Sequence, residues 1–538
     1  METLKLPWVS LGHVLEHAAT ECPDAPLLIY EGDRLTYAEV DRRVNQIANL
    51  FRALGLSHGD RVSVMLPNGF DFPTIWLAIA KTGLIMVPTN IQYQMHDLEY
   101  ILSDSKASCM ILHADFVPQL EKVKERVPTL KQILVVGGAP AGYESFEEQW
   151  TSQADGYTIR GVTDKDPINI QYTSGTTGFP KGCILPHRYW MVVGRLKSQS
   201  FGFRPTDVNF NAQPFYYMDP QTHLATCLMA GMSLVLVPRF SVSGFWRTIV
   251  ENDVSFFYCL GTMPLMLLNR EPDELEKQHR LRFVSCSGIP KDLHETIEKR
   301  FGCPWREIYG STESGTDLFV PLEDSQSVGT GSLGRPVSTK EAKILDEEGN
   351  GIPDGEVGEL ALRGEPMMLG YWGKPEATAE KLRDGWLHTG DLFYKDEEGR
   401  FHIVGRSKDM IRRAGENISA SEVEGVLAQH PKVKVSAVLP VPDRIRGEEP
   451  KAYVVLTDGE TVNSLSPQEL IEFAKIRLAA FKIPRYVEYV ESLPMTPSER
   501  VAKNRLIEAK DDLRRDSYDA AKGAWVSDTE LETDSPKS

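Results

Sequence analysis

The sequence predicts an α/β protein that carries a mostly β lobe and ends in a small α+β domain. Three observations predict it. Through the first 165 residues, runs at helical spacing alternate with short apolar runs. Short strands followed by Pro or Gly turns continue that pattern to about residue 320, and from Gly329 to Arg406 the texture changes to short strands divided by Gly-rich turns.

Tyr37 to Leu54 places apolar residues on one helical face, and Arg61-Val-Ser-Val-Met-Leu66 then runs as a strand into the turn residues Pro67-Asn68. Leu234-Val-Leu-Val237 and Arg282-Phe-Val-Ser285 are strands of the same kind, each followed by turn residues and a helix-like stretch. After Gly329 the turns Asp346-Glu-Glu-Gly, Asp354-Gly, Asp384-Gly and Asp396-Glu-Glu-Gly separate short strands, as hairpins do. Strand and helix signals return after Gly405-Arg406-Ser-Lys-Asp for about 100 residues, enough for a domain with its own core, so a boundary falls near Lys408. The stretch from about Ser517 to Ser538 is rich in Ser, Thr, Asp and Glu and has little to bury, which predicts a disordered tail over 516–538.

A chain of 538 residues, at ~150 per domain, makes three or four structural units. Its 41% hydrophobic and 25% charged residues support packed cores and exclude a fibrous or wholly disordered protein. The net charge of -17 excludes broad attraction to nucleic acid or to an anionic membrane, so any phosphate ligand has to be gripped locally. The most apolar run, Ile75 to Val87, is broken by Lys81 and Gly83 and falls short of the ~20 residues a membrane span needs. No basic region followed by an apolar stretch and a cleavage site opens the chain, so the expected location is cytoplasmic. Seven scattered cysteines without a Cys-x-x-Cys read as buried free thiols, and His13 with His17, lacking a third ligand, read as surface histidines rather than a metal clip.

The strongest local signal is Tyr172-Thr-Ser-Gly-Thr-Thr-Gly-Phe-Pro-Lys-Gly182, which follows a strand-like run. Its glycines let the backbone approach an anion, its Ser and Thr hydroxyls donate to phosphate oxygens, and Lys181 adds a point charge. It is not the common nucleotide P-loop, because Lys181 is followed by Gly182 and not by Ser or Thr. Gly329-Thr-Gly-Ser-Leu-Gly334 fits the dinucleotide pattern, but it follows no strand and runs into Arg335-Pro336 where a helix would have to open. Arg306-Glu-Ile-Tyr-Gly-Ser-Thr-Glu-Ser-Gly315 places Glu313 on a sharp turn, suited to Mg²⁺ on a polyphosphate or, equally, to an ordinary capped helix start. Trp386-Leu-His-Thr-Gly-Asp391 offers an acceptor-only carboxylate that suits a ribose diol or simply caps a turn.

Taken in order, these three segments, with Gly358-Glu-Leu-Ala-Leu-Arg-Gly364 and Gly405-Arg-Ser-Lys-Asp-Met-Ile-Arg-Arg-Ala-Gly-Glu-Asn417, resemble the acyl-adenylate-forming superfamily of acyl-CoA synthetases, luciferases and nonribosomal adenylation domains. The resemblance covers about residues 10 to 510 and implies a large N-terminal domain (1–405), a hinge (406–409) and a small mobile C-terminal domain (410–515). It implies an ATP-dependent acyl-CoA ligase: a carboxylic acid and ATP form acyl-AMP and pyrophosphate, and coenzyme A then displaces AMP. ATP, Mg²⁺ and coenzyme A are the implied cofactors. By position, Thr173, Ser174, Gly175, Thr176, Thr177, Gly178 and Lys181 would hold the β and γ phosphates, Thr312 the α-phosphate and Glu313 the Mg²⁺. Tyr309, followed by Gly310 and Ser311, would stack on adenine, with Ser287, Gly288 and Ile289 on its other face. Asp391 and Arg406 would take the ribose, Lys408 the hinge position, and Gly415 and Glu416 the coenzyme A side. Phe215, Tyr216, Tyr217 and Gly261 would line the acid site, in a region where Met218, Phe256, Phe257, Tyr258 and Met263 add apolar and aromatic bulk.

Two departures stand out. The family's adenylation lysine sits in a Thr-x-x-Gly-Lys setting, whereas here the stretch reads Leu493-Pro-Met-Thr-Pro-Ser-Glu-Arg-Val-Ala-Lys503, so Arg500 or Lys503 has to supply the cation. Tyr216 takes a gating position where a histidine is common. Val237 to Trp246 and the Arg-Ala-Gly-Glu-Asn-Ile-Ser phrase are similar to carnitine and crotonobetaine-CoA ligases, and Asp219 is a candidate for a cationic headgroup or a plain turn residue. The competing readings are an adenylating enzyme that serves a carrier protein, disfavoured because no ~80-residue carrier domain follows the C-terminal domain, and a nucleotide-binding homologue that has lost catalysis. Monomer and homodimer both remain open.

Overall fold

The computed structural model describes residues 4–173, 180–260, 262–406, 410–413, 416–443, 446–496 and 501–527. Among them the strands form four sheets. The eight-stranded sheet runs, from edge to edge, Gly370–Tyr371, Lys181–Pro186, Pro167–Thr173, Ile85–Pro88, Arg61–Met65, Cys109–His113, Gln132–Val136 and Glu144–Ser145. The nine-stranded sheet places Val208–Asn211, Phe256–Leu260, Phe283–Ser287 and Trp305–Ser311 side by side and parallel. Parallel neighbours end at one edge, so Leu260, Ser287 and Ser311 come out together at the carboxyl edge, where open α/β sheets hold their ligands.

The alternation read from sequence arises because such strands are covered on both faces. Val62, Val64, Leu28, Leu234, Leu360 and Leu362, from the eight-, nine- and five-stranded sheets, are buried in one hydrophobic cluster. Local signals agree with the packing. Thr36 and Glu39 form a capping box at the start of the helix Tyr37–Ala53. The first helical residue, Tyr37, is fully buried and donates its hydroxyl to the carbonyls of Cys227 and Met232, 190 and more residues away.

From Lys340 to Arg406 the chain builds the expected β lobe, a five-stranded sheet of Lys340–Leu345, Gly358–Gly364, Trp386–Lys395, Leu382–Arg383 and Phe401–Arg406. Two short strands near it belong elsewhere: Arg335–Pro336, just before it, joins the nine-stranded sheet, and Gly370–Tyr371, within it, the eight-stranded one. Gly329–Gly334 opens no helix; Ser332 bridges His402 instead.

The seven-stranded sheet begins at Met410–Arg413 and has its own cluster of Ile411, Ile418, Val423, Val454 and Val487. It corrects one expectation. The tail does not begin at 516, because Tyr518–Asp519 and Ala524–Trp525 are strands of this sheet and Ser517, Tyr518 and Asp519 are buried. The polar composition concealed this: Asp519 is balanced by the Arg485 guanidinium at 3.2 Å, so it is satisfied inside the fold.

The helices His187–Ser200 and Met218–Ala230 pack against each other in the middle of the molecule. Their approach depends on Gly194, where an added Cβ would stand 2.6 Å from the Ala225 carbonyl oxygen. We expect Gly194→Ala to push the two helices apart and to destabilise the protein by about 1–3 kcal/mol, the range for overpacking, in denaturant-unfolding measurements.

Candidate active site

Strand Pro167–Thr173 pairs antiparallel with Lys181–Pro186, and the register closes with Thr173 opposite Lys181. These two residues form the stem of the hydroxyl- and glycine-rich segment. The stem is fixed from outside: Tyr172 donates its hydroxyl to Asp104 at 2.6 Å, and Tyr100 donates to the Pro180 carbonyl at 2.9 Å. The Lys181 ammonium lies 5.3 Å from the centre of the Tyr371 ring. Tyr371 is held there because Gly370–Tyr371 pairs with the lysine's own strand, and its hydroxyl donates to Glu313 Oε1 at 2.7 Å. Burial and the neighbouring carboxylate push the Tyr371 phenol well above its ordinary pKa, so it stays a donor. Sequence reading missed Tyr371; the only cue was its place after the Gly-rich lobe segment.

Glu313 sits on a reverse turn between strands Trp305–Ser311 and Gly315–Phe319, so the capped-helix alternative for this segment gives way to a hairpin. Gly310 has to be glycine, since an added Cβ would fall 1.9 Å from the Gly315 carbonyl oxygen. Within the turn Ser311 and Ser314 share a hydrogen bond of 2.8 Å, and Ser314 donates to Asp317 at 2.6 Å. The buried Lys340 ammonium donates to Asp317 and to the Ser314 carbonyl. Thr312 accepts from the Tyr189 hydroxyl at 3.0 Å through its carbonyl, and Glu313 from the Met368 amide at 2.7 Å. The backbone of both residues is thereby anchored while their side chains stay partly exposed.

Across the turn, Tyr309 donates its hydroxyl to Asp391 Oδ2 at 2.6 Å and rests edge-on against Phe393 at 5.1 Å. Asp391 lies opposite Arg406 in the ladder of strands Trp386–Lys395 and Phe401–Arg406. Behind Tyr309, the turn Ser287-Gly288-Ile289 is clamped by Glu307, whose carboxylate accepts the Gly288 amide at 3.0 Å and the Ile289 amide at 2.5 Å. Gly288 has φ +95°, a conformation few other residues adopt. Ser287 donates to the Ile308 carbonyl at 2.8 Å and accepts from the Tyr258 hydroxyl at 3.0 Å. Burial pushes the Glu307 carboxyl up from the ordinary 4.5 to about 7, with the two amides opposing the shift.

The acid-site expectations divide. Phe215 is 1% exposed and packs on Phe72 and Trp76, so it is core and not a pocket wall. Phe257 points to the opposite face of its strand, against Phe245 and Trp305, as the two-residue period requires. Tyr216 is buried with its ring 4.7 Å from that of Tyr217, which accepts from Asn90 at 3.2 Å. Gly261 lies outside the described residues, as do Ser174, Gly175, Thr176, Thr177, Gly178, Lys408, Gly415 and Arg500. Arg406 and Glu416 are described as members of the strands Phe401–Arg406 and Glu416–Ser419. Lys503 is engaged elsewhere: its ammonium pairs with Glu424 at 2.8 Å, on a carboxylate that also accepts the Val438 amide at 2.7 Å.

Glu313 is joined to the stem through Tyr371, and among the described residues no cluster of three or more His, Cys, Asp or Glu forms a metal cage. Mg²⁺ is commonly held by one or two carboxylates plus substrate phosphates, and Glu313 is a carboxylate of that kind. Among the described residues no helix is long and apolar enough to cross a membrane.

The chain is similar to known proteins over most of its length. Residues 15–372 match the family profile described as AMP-binding enzyme, and residues 422–500 match that of the AMP-binding enzyme C-terminal domain. The chain is 33% identical over 515 residues to a crotonobetaine/carnitine–CoA ligase of Escherichia coli O157:H7, covering 94% of this chain and 98% of the relative. Among solved structures it is similar to an anthranilate CoA ligase in complex with anthranoyl-AMP, with a TM-score of 0.87 and 28% identity over 95% of this chain and 99% of that one. It is also similar to the o-succinylbenzoate CoA synthetase of Bacillus subtilis in complex with its acyl-adenylate intermediate, with a TM-score of 0.82 and 27% identity over 93% of this chain and 98% of that one.

The Glu307 clamp generates a prediction. With a pKa of about 7 in the folded protein against the ordinary 4.5, the folded state holds the extra proton between those values, so this group's contribution to stability falls as pH rises through that window. Glu307→Gln removes the titration. The wild-type-minus-variant unfolding free energy should therefore decline by on the order of 2–3 kcal/mol from pH 4.5 to 7 and level off above it, as measured by denaturant unfolding across pH.

Proposed function

The chain belongs to the AMP-binding enzyme family, and on that premise we propose how its own residues divide the work of an ATP-dependent acyl-CoA ligase. The enzyme joins a carboxylic acid to coenzyme A in two steps. The carboxylate oxygen attacks the α-phosphorus of ATP and pyrophosphate leaves; the thiol sulfur then attacks the acyl carbon and AMP leaves.

The observation that carries the assignment is the meeting of Lys181, Tyr371 and Glu313, which brings the phosphate-loop stem and the Thr312-Glu313 turn to one point. In this reading Thr173, Lys181 and the residues 174–178 between them hold the β and γ phosphates. Thr312 meets the α-phosphate. Glu313 is the protein ligand of Mg²⁺, which when bound offsets the charge that builds on the phosphate oxygens. Tyr371 orients the Glu313 carboxylate, and Tyr309 with Gly310 and Ser311 forms one wall of the adenine site, the Ser287-Gly288-Ile289 turn the other. Asp391, already fixed by the Tyr309 hydroxyl, accepts from the ribose hydroxyls, and Arg406 donates to them. Tyr216, Tyr217 and Gly261 border the acid, and Gly415 and Glu416 border coenzyme A.

Bringing two anions together needs a cation between carboxylate and α-phosphate. We assign it to Arg500, because the Lys503 ammonium is already paired with Glu424 of the helix Ala420–Leu427. Lys408 acts as the hinge between 1–405 and the sheet that starts at Met410, so that one C-terminal domain serves both half-reactions.

The test is pyrophosphate release from ATP and Mg²⁺ over a panel of short, medium-chain and aromatic acids, with and without coenzyme A, and with products identified by mass. We expect an acid-dependent signal and an acyl thioester. Arg500→Ala should lower acid-dependent pyrophosphate release by roughly 10²-fold or more, the cost of losing a transition-state charge partner. Lys503→Ala should stay within about an order of magnitude of wild type, because it breaks a partly buried ion pair that holds no substrate in this reading. Equal losses in the two variants would remove the Arg500 assignment.

A further inference from the structure

The central helices bring together buried polar groups for which the catalytic assignment has no use. Lys197, on His187–Ser200, is 6% exposed. Its ammonium lies 5.4 Å from the centre of the Tyr258 ring and makes no hydrogen bond or ion pair among the described residues. His223, on Met218–Ala230, is 1% exposed, with its ring 5.8 Å from that of Tyr258, and neither imidazole nitrogen has a hydrogen-bond partner among the described residues. Ser285, opposite Tyr258 in the parallel ladder, is equally buried and its hydroxyl is likewise unpartnered. Unpaired buried donors and acceptors are uncommon because each forfeits its hydrogen bonds with water, and two such side chains, His223 and Ser285, lie beside the ring on which the Lys197 ammonium rests.

This cluster adjoins the nucleotide site directly. The Tyr258 hydroxyl bonds Ser287, which bonds the Ile308 carbonyl next to Tyr309. Tyr258 and Phe256 share the face of their strand that looks toward His223, while Phe257 and Cys259 face the other core cluster. In the ligase reading, an acid that extends from Thr312 past Tyr258 would have Lys197 and His223 beyond that ring.

Charge narrows the chemistry. Burial lowers the Lys197 pKa to about 8, and the Asp219 carboxylate supports the charged form, so the site holds a cation at neutral pH with a counter-charge close by. Burial drives the His223 pKa well below its ordinary value, so the imidazole is neutral. The cluster has donors to offer and no uncompensated charge to neutralise. It suits lone pairs, and it disfavours both a quaternary ammonium and a second carboxylate facing Asp219.

We propose that Lys197, with His223 beside it, is the specificity-determining end of the acid site, and that the substrate is a carboxylic acid carrying a neutral oxygen acceptor, a carbonyl or hydroxyl, distal to the reacting carboxylate. The proposal rests on the ligase reading above. A site built around hydrogen-bond donors rejects an analogue that lacks the acceptor, because the donors are then left unpaired and dry.

The experiment measures kcat/KM for acyl-CoA formation with acid pairs matched in shape: 5-oxohexanoate with 5-methylhexanoate, and 4-acetylbenzoate with 4-isopropylbenzoate. Adipate and 4-(trimethylammonio)butanoate are the charged arms. Wild type should prefer the oxygenated member of at least one pair by about tenfold or more, and turn over both charged acids less well than that member. Lys197→Met should erase the preference by slowing the oxygenated acid, leaving the hydrocarbon acid and ATP affinity, measured by calorimetry, unchanged. If Lys197→Met does not fold, the wild-type ratios decide alone. Turnover without preference, preference for a charged arm, or equal losses on all acids in the variant overturns the proposal and leaves the ligase reading standing. No thioester from any of these acids overturns both.

Discussion

One ammonium held out of water sets the geometry of the active site. Lys340 and Asp317 are both fully buried, and removing two such charges from solvent costs several kcal/mol for each ion. Burial pushes the Asp317 carboxyl up and the Lys340 amine down, and only their mutual charge and the surrounding donors oppose that drift to neutrality. The Ser314 hydroxyl and carbonyl supply those partners, so the pair is satisfied only if the turn from Ser311 to Asp317 takes one shape. That shape carries Thr312 and Glu313. The electrostatic requirement of a residue in the β lobe thereby fixes the backbone that carries the residues proposed to meet the phosphates and the metal.

The same logic explains why the site lies where three sheets meet and not on a single loop. Tyr371 arrives from the eight-stranded sheet, Glu313 and Tyr309 from the nine-stranded one and Asp391 from the β lobe, and each junction is a single hydrogen bond of 2.6 or 2.7 Å. Below these contacts the three sheets share one apolar cluster, which resists relative displacement because close-packed interiors yield little. Adenylation gains from such rigidity, since its donors must already be aimed when charge develops on the phosphates.

Much of this was legible in the sequence, and the reason is local. A glycine-rich loop between two strands, a Tyr-Gly turn with no room for a Cβ, and an Asp ending a Gly turn are dictated by backbone geometry, which residue identity reports directly. What escaped was set by tertiary context. Tyr371 matters only because two residues of strand join a sheet built some 190 residues earlier. Phe215 looked like a pocket residue beside Tyr216, yet one step along the chain turns it into the core against Trp76. The segment after Ser517 read as a tail because its acidic side chains gave no sign of Arg485, which satisfies one of them inside the sheet.

The acid site shows the limit of motif reading most clearly. Lys197 and His223 sit on helices whose spacing reads as ordinary amphipathic surface and core, and no motif marks either. Their importance lies in what they lack. A lysine this buried normally sits beside a carboxylate, as Lys81, Lys340 and Lys451 do, each within 3.1 Å of one. Lys197 differs from these three in forming no ion pair among the described residues: its ammonium rests 5.4 Å from the centre of the Tyr258 ring, and the Asp219 carboxylate supports its charged form. Selection for stability by itself would replace such a residue, because desolvating a charge without a hydrogen bond weakens the fold. A cost of that kind persists in a fold when something that binds there restores the missing contacts, which is the role proposed above for an oxygen acceptor on the acid.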